Sequence, residues 1–462
     1  MAATSLPGSR VGKSRVERLL GLAAEVRAGE ATTALLLALI VFLLLGAYYV
    51  IRPVREALLL PVTIPLPGGR IMKGPEIKSY AGAIFAALFV FIVPAYGAFA
   101  SKVNRIRLIN WVTLFFASNL AVFFLLGRAG VELGVPFFLW VGIFNLVVVA
   151  QFWSFANDLY TPEQGKRLFA IVGFGGSVGA VAGSTIASIL IKPLGVFPMM
   201  LISAGILLIC LLLANVVHRR EKGRAPIASR QRQEAEEPLG KDGGFQLVVR
   251  HRYLLLIGLL TLTAQFVNTN GNYILGETLT QMARAAVAAG AAGGLSERQI
   301  VGGYMAGTDL WQNLLVVGIQ LFLVSRIFKR LGVGGALFIL PVIAMGSYGL
   351  FTAAPVLALI RLAKILENAT DYSLQNTVRR ALFLPTSREA KYKALQAVET
   401  FFWRSGDMLS AVATVVMVQV LEWGVRSYAA VNLGLVVLWL VVATALFREN
   451  RRHNAQAQPA VA

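Results

Sequence analysis

The sequence predicts an all-α polytopic membrane protein with twelve transmembrane helices in two six-helix halves. Three observations carry this expectation. Of 462 residues, 57% are hydrophobic and only 14% charged, and mean hydropathy is +0.68; a soluble chain of this length needs far more polar surface. The apolar residues come in runs of about 20, the length that crosses the hydrocarbon core of a bilayer. A charged stretch, "HRREKGRAPIASRQRQEAEEPLGKDGG", divides the runs into two sets.

Residues 1–30 are basic and lack the apolar core of a secretory signal. Spans are expected near 31–60, 79–100, 106–127, 135–157, 168–192 and 196–217, which makes 31–217 the first bundle. The segment 218–251 carries two prolines and no apolar period, so it reads as a linker. Six further spans near 252–276, 300–324, 333–352, 354–380, 397–422 and 426–447 make 252–447 the second bundle, followed by a tail, 448–462. Lysine and arginine concentrate in both tails, the linker and the even-numbered connections, such as "SKVNRIR" and "SRIFKR". That asymmetry places both termini and the linker in the cytoplasm, for a multi-pass protein of the cell's inner (plasma) membrane.

Several function classes fall away. A net charge of +20 would suggest a nucleic-acid partner in a soluble protein, but here the charge flanks lipid-spanning runs, so no nucleic acid is expected. Cys210 is the only cysteine, which rules out a disulfide framework. His218, His251 and His453 lie far apart in basic segments, with no metal-ligand spacing. No G-x-x-x-x-G-K-[ST] loop occurs. The expectation is a monomer in the lipid bilayer that is not an enzyme and needs no cofactor. "GFGGSVGAVAGS" is not a nucleotide fingerprint, because no strand precedes it. Its Gly175, Gly179 and Gly183 have the four-residue spacing that lets two membrane helices approach closely.

Charges inside apolar helices are costly, and each is a functional candidate. "FLLLGAYYVIRPVREALLLP" sets Arg52, Arg55 and Glu56 inside the first span. Arg52 and Glu56, four apart, share a helix face. They form either an internal ion pair or, with Arg55, an anion-binding wall. In "LIRLAKILENATDYSLQNTVRRALFLP", the residues Arg361, Lys364, Asn368, Asp371, Gln375 and Arg379 are spaced by three or four and form one helical stripe. Such a stripe lines a cavity or makes a structural ladder in which Lys364 pairs with Glu367 or Asp371. The seventh span carries Gln265, Asn268 and Asn272, with Glu277 at its outer end. The eighth carries Asp309 and Asn313, and the eleventh Arg404 and Asp407. "QFWSFAND" ends the fourth span with aromatics beside Asn157 and Asp158. Within the spans, Arg52, Arg55, Arg361, Lys364 and Arg404 balance Glu56, Asp309, Glu367, Asp371 and Asp407. Charge counting alone therefore does not separate an anion site from paired charges with a proton-coupling acid.

The two halves echo each other in the passages "NDLYTPEQGKRLFAIVGFGGSVG" and "RRALFLPTSREAKYKALQAVETFFWRSGD", where an aliphatic–aromatic pair, a proline and a polar turn lead into basic residues. Parallel six-helix repeats suit a major-facilitator-like carrier. Three segments resemble the nucleotide transporter family of bacterial and plastid ATP/ADP translocases. They are "YYVIRPVREALLL", "FANDLYTPEQGKRLFAIVGFGGSVG" and "DYSLQNTVRRALFLPTSREAKYKALQAVETFFWRSGD". In this match Arg55 stands at the family's first-helix lysine, Glu56 at its acid, Asp158 near its helix-4 acid and Arg379 at its helix-10 base. Glu277, in "NYILGETLT", is the loosest match. The sequence departs from the family in having arginines for key lysines and Arg380 where an acid is expected. The resemblance implies a major-facilitator-type fold and exchange of an anionic small molecule, a nucleotide. On that footing Arg55, Lys364 and Arg379 are expected to hold phosphates, with Glu56 and Asp371 orienting them. Arg52, Arg361, Asn157, Asp158, Asn268, Asn272, Glu277 and Asn368 are expected around the substrate.

Overall fold

The computed structural model describes residues 27, 30–67, 69–100, 105–160, 162–221, 244–387 and 390–457. Nearly all of the basic segment expected at 1–30, most of the linker and the end of the tail lie outside them. Thirteen helices occupy the described residues. They are α1 (Ala31–Leu59), α2 (Gly74–Ala100), α3 (Arg105–Arg128), α4 (Gly134–Leu159), α5 (Pro162–Leu194), α6 (Pro198–Glu221), the short α7 (Gly244–Arg250), α8 (Arg252–Ala288), α9 (Glu297–Ala336), α10 (Ile339–Ala353), α11 (357–382), α12 (390–420) and α13 (Val425–Ala457). Eight are long and apolar enough to cross a membrane, or up to nine when the pair α9–α10, bent by 74°, counts as one span. α11 is held back by the same charges that make it informative, Arg361, Lys364, Glu367 and Asp371.

Each end of the chain builds its own core. Leu37, Ile51, Phe137, Phe144 and Met200 belong to one buried cluster drawn from α1 and α3–α6. Ile257, Ile274, Tyr348, Leu374 and Tyr428 belong to another drawn from α7–α13. Large apolar side chains such as Trp111, Leu212 and Val441 point outward, an arrangement stable against lipid and not against water.

α1 is the central helix of the first group because α5 lets it in. A Cβ at Gly175, Gly179 or Gly183 would land on the carbonyl oxygens of Ala38, Phe42 and Gly46 respectively. The glycine spacing therefore sets a backbone-to-backbone approach, as expected for small residues at a membrane helix interface.

Four features depart from the sequence expectation. Between α1 and α2 the chain forms an antiparallel hairpin, β1 (Thr63–Pro65) with β2 (Ile71–Lys73), in register Thr63↔Lys73. α2 starts at Gly74, five residues before the expected 79, with Pro75 in its first turn and Glu76 near its N-terminus. That is a favourable start, since proline gives up no intrahelical bond there and an acid complements the helix dipole. α8 runs to Ala288, so Glu277 is inside the helix and not at its end. Finally, α11 is interrupted by a π-helical turn, Asp371–Gln375, and another, Ile319–Leu323, interrupts α9. A π turn bonds i to i+5 and rotates everything beyond it off the 3.6-residue face.

Candidate functional site

A central cavity of about 630 Å³ opens between the two helix groups, within the range of small-molecule sites. α1 supplies Tyr48, Tyr49, Arg52, Arg55 and Glu56. Its wall opposite is carboxamide-rich: Gln265, Asn268 and Asn272 from α8, Gln312 and Asn313 from α9, Asn368 from α11. Spacings of three and four put the α8 set on one helix face.

The charges on this wall are arranged unequally. Glu56 receives two cations: Arg55 Nη2 lies 2.7 Å from Oε1 and Lys78 Nζ lies 2.7 Å from Oε2. Arg55 commits Nε and Nη2 to Glu56, and its guanidinium stacks over the Phe138 ring at 4.8 Å. A guanidinium has five N–H donors in a planar fork, so one edge remains for an anion. Arg52 does not pair with Glu56 as its i,i+4 spacing suggested. It crosses to α9, where Nη1 meets Asp309 Oδ1 at 3.2 Å. On α12, Arg404 pairs with Asp407 at 3.3 Å, and Asp407 Oδ1 accepts hydrogen bonds from Gln265 Nε2 and Thr269 Oγ1. The charged cavity residues are thus Arg52, Arg55, Lys78 and Arg404 against Glu56, Asp309 and Asp407: four minus three leaves one net positive charge with all ionised.

Arg52, Arg55, Glu56, Asn268, Asn272 and Asn368 line this cavity, and the other expected site residues whose side chains are described do not. Lys364 is fully buried. Its ammonium donates to Asn268 Oδ1 at 2.7 Å, Glu367 Oε2 at 3.0 Å and the Asn268 carbonyl at 3.4 Å. An ammonium has three donors, so none is left for a phosphate. Arg361 packs its guanidinium over Tyr304 at 4.4 Å. Asp371 and Arg379, 3.9 Å apart, border a separate void of about 20 Å³ behind Gln265, Asn268 and Trp403. Glu277 sits under the hairpin, paired with Lys73 at 2.7 Å, in an outer pocket of about 340 Å³. Asn157 is exposed at the end of α4, and the side chain of Asp158 lies outside the described ones. α4 reaches the cavity instead through Phe138, Gly142 and Asn145.

The π turn accounts for the break in the α11 stripe beyond Asn368. Before it, Asn368 faces the cavity and donates to Gln312 Oε1 at 3.0 Å. At the turn, Tyr372 takes the wall position, and Gln375, which uniform spacing would put there, is buried. Lys78 escaped the sequence reading because the second span was started too late. The Gly-Pro-Glu at 74–76 is the helix-start signal that would have placed it on the wall. Asp309 was visible as a charge in a span, but its partner is on another helix, out of reach of any local spacing rule.

No family model matches the chain. Its curated homologues are ADP,ATP carrier proteins. ADP,ATP carrier protein 1 of Chlamydia pneumoniae is 22% identical over 342 residues, 65% of this chain and 64% of that protein. The protein of the same name from Chlamydia muridarum is 22% identical over 343 residues, 65% and 62% of the two chains. The chain therefore matches less than two-thirds of the length of these relatives. Among solved structures, the nucleoside transporter NupG is 14% identical with a TM-score of 0.59, covering 90% of this chain and 98% of that one. The POT family transporter PepTSo is 12% identical with a TM-score of 0.61, covering 91% and 98%. A bacterial homolog of the human lysosomal transporter Spinster, inward-facing and unoccupied, is 15% identical with a TM-score of 0.55, covering 95% and 100%. These likenesses show that the chain shares the fold of these solved structures.

Proposed function

We propose that this chain is a secondary carrier of nucleotides that exchanges one for another across the inner membrane by alternating access. In this reading α1–α6 and α8–α13 are two six-helix halves, giving twelve crossings with both termini cytoplasmic, and the carrier works as a monomer. The observation that carries it is the convergence of Arg55 and Lys78 on the single carboxylate of Glu56 within the 630 Å³ cavity. Two cations sharing one acid present a surplus positive charge to a partly enclosed cavity, where charge-assisted bonds to phosphate are strong. The carboxamide wall opposite offers donors and acceptors to a heteroaromatic base, and Tyr48, Tyr49 and Phe138 offer ring faces. The names of the Chlamydia relatives point to the same ligand class. Lys364 and Arg379, expected at the phosphates, are assigned to the scaffold instead.

A second reading is a proton-coupled carrier of another small solute. It is favoured by the pairing of cavity cations with carboxylates, Arg52 with Asp309 and Arg404 with Asp407. Uptake of labelled nucleotides into proteoliposomes decides between them. Exchange predicts fast uptake only into vesicles preloaded with unlabelled nucleotide, whereas equal uptake into empty vesicles, driven by a pH gradient, would overturn it.

A further inference from the structure

The ion pairs that join α1–α6 to α8–α13 among the described residues fall into two places. Lys73–Glu277 at 2.7 Å, Arg70–Glu422 at 3.5 Å and Glu132–Arg298 at 2.9 Å sit with the hairpin and the loops at one end of the molecule. The remaining pair, Arg52–Asp309 at 3.2 Å, lies on the wall of the central cavity. The other cavity pairs stay within one helix group: Arg55 and Lys78 share Glu56 on the first, and Arg404 holds Asp407 on the second. Separation of the two groups leaves those intact and must break Arg52–Asp309.

The pair is also asymmetric. The Asp309 side chain is 5% exposed while that of Arg52 is 17% exposed, so the guanidinium is the member that an incoming solute reaches. Arg52 lies three residues, about one helical turn, from Arg55 on the same helix. An anion held by Arg55 and Lys78 is thus brought next to Arg52. A phosphate carries more charge than a carboxylate and meets the guanidinium fork in the same bidentate way, so the two compete for one partner.

We propose that Asp309 is an internal anion that occupies Arg52 in the unloaded carrier, and that the substrate's phosphate displaces it and thereby unlatches the two helix groups. The inference rests on the anion-carrier reading above. Asp309 is then a positioning residue that never touches substrate and lowers affinity by occupying its site. The apparent affinity of a site falls by the fraction of time it is available. If Asp309 holds Arg52 about nine-tenths of the time, its removal tightens anion binding on the order of tenfold.

The test uses the full-length protein in detergent with pyrophosphate and ADP as probes, and a reporter cysteine at Ala57 after Cys210→Ala. Ala57 is fully buried where α9 approaches at Gly302, so a water-soluble thiol reagent reaches it when the groups part. Asp309→Asn, near-isosteric, is expected to bind both probes more tightly and to label at Ala57→Cys without ligand as fast as the parent does with ligand. Asp309→Glu keeps the charge and is expected to label slowly until ligand is added, which supplies the comparison if the asparagine variant expresses poorly. Weaker probe binding by Asp309→Asn, or ligand-free labelling no faster than the parent, overturns the proposal. If the parent protein binds neither probe, the nucleotide reading fails, and the ligand-free labelling rates still decide whether Asp309 latches the two groups.

Discussion

Two charged clusters, one in each helix group, make ion pairs of nearly equal length. Arg55 and Lys78 approach Glu56 at 2.7 Å, and Lys364 approaches Glu367 at 3.0 Å. Their surroundings differ. The Arg55 and Lys78 side chains are 17% and 20% exposed to the cavity, whereas that of Lys364 is 0% exposed and has its donors committed to Glu367 and Asn268. The lesson is that an ion-pair distance does not say whether a membrane charge serves a ligand. The count of donors still available at a wetted wall does.

The comparison breaks first on stability. Lys364→Ala strands Glu367, whose other hydrogen-bond donor is the Tyr348 hydroxyl. Removing one partner of a buried pair costs about 3–5 kcal/mol, so thermal unfolding in detergent should shift strongly downward. Lys364→Met combined with Glu367→Leu should recover most of the loss, because an apolar replacement of both partners is often neutral. A Lys364→Ala variant of parental stability would put the lysine in water and erase the contrast.

The next effect is on binding. Lys78→Gln leaves Glu56 still held by Arg55 and removes one charge-assisted phosphate contact, worth roughly 1.5–3 kcal/mol. Nucleotide affinity measured by calorimetry should fall about tenfold to hundredfold, with unfolding little changed. Affinity within twofold of the parent would move the phosphates away from α2.

A smaller effect is expected at Asn272, a cavity carboxamide on the wall opposite the cations. Asn272→Ala removes one neutral hydrogen bond, about 0.5–1.5 kcal/mol. It should weaken ADP modestly and leave pyrophosphate unchanged. Equal weakening of both would place Asn272 at the phosphates.

Labelling sharpens the boundary between wet and dry on one helix. With Cys210→Ala as background, Asn368→Cys should react with a water-soluble thiol reagent and Gln375→Cys should be protected. Reaction at both positions would mean that α11 presents one continuous wetted stripe in solution.

That stripe shows where sequence reasoning works and where it stops. Periodicity counts residues along an uninterrupted helix, so it placed the glycine ladder of α5 and the α1 charges on their faces. A π turn has no composition of its own: "DYSLQ" is an ordinary helical pentapeptide, yet beyond it Arg379 has left the face of Asn368 and borders a separate void. Partners distant in sequence are invisible for a related reason. Local spacing offered Glu56 to Arg52, and the fold gave it Asp309, 257 positions on, because α9 packs against α1 where Arg52 emerges. The hairpin at Thr63–Lys73 was missed because three-residue strands carry too little alternation to stand out from a loop.

The most direct test of the central claim is a thermal-shift titration with ADP of Arg55→Gln beside Arg379→Gln. Arg55 keeps one edge of its fork at the cavity wall, whereas Arg379 is buried over Trp403 at 4.4 Å and near Asp371. Ligand stabilisation and intrinsic stability are read from the same curves. Arg55→Gln should unfold at the parental temperature and lose the ADP-dependent rise, while Arg379→Gln should unfold earlier and keep it. The reverse pattern, with ligand response lost at Arg379 and stability lost at Arg55, would contradict the assignment of the anion site to the cavity cluster.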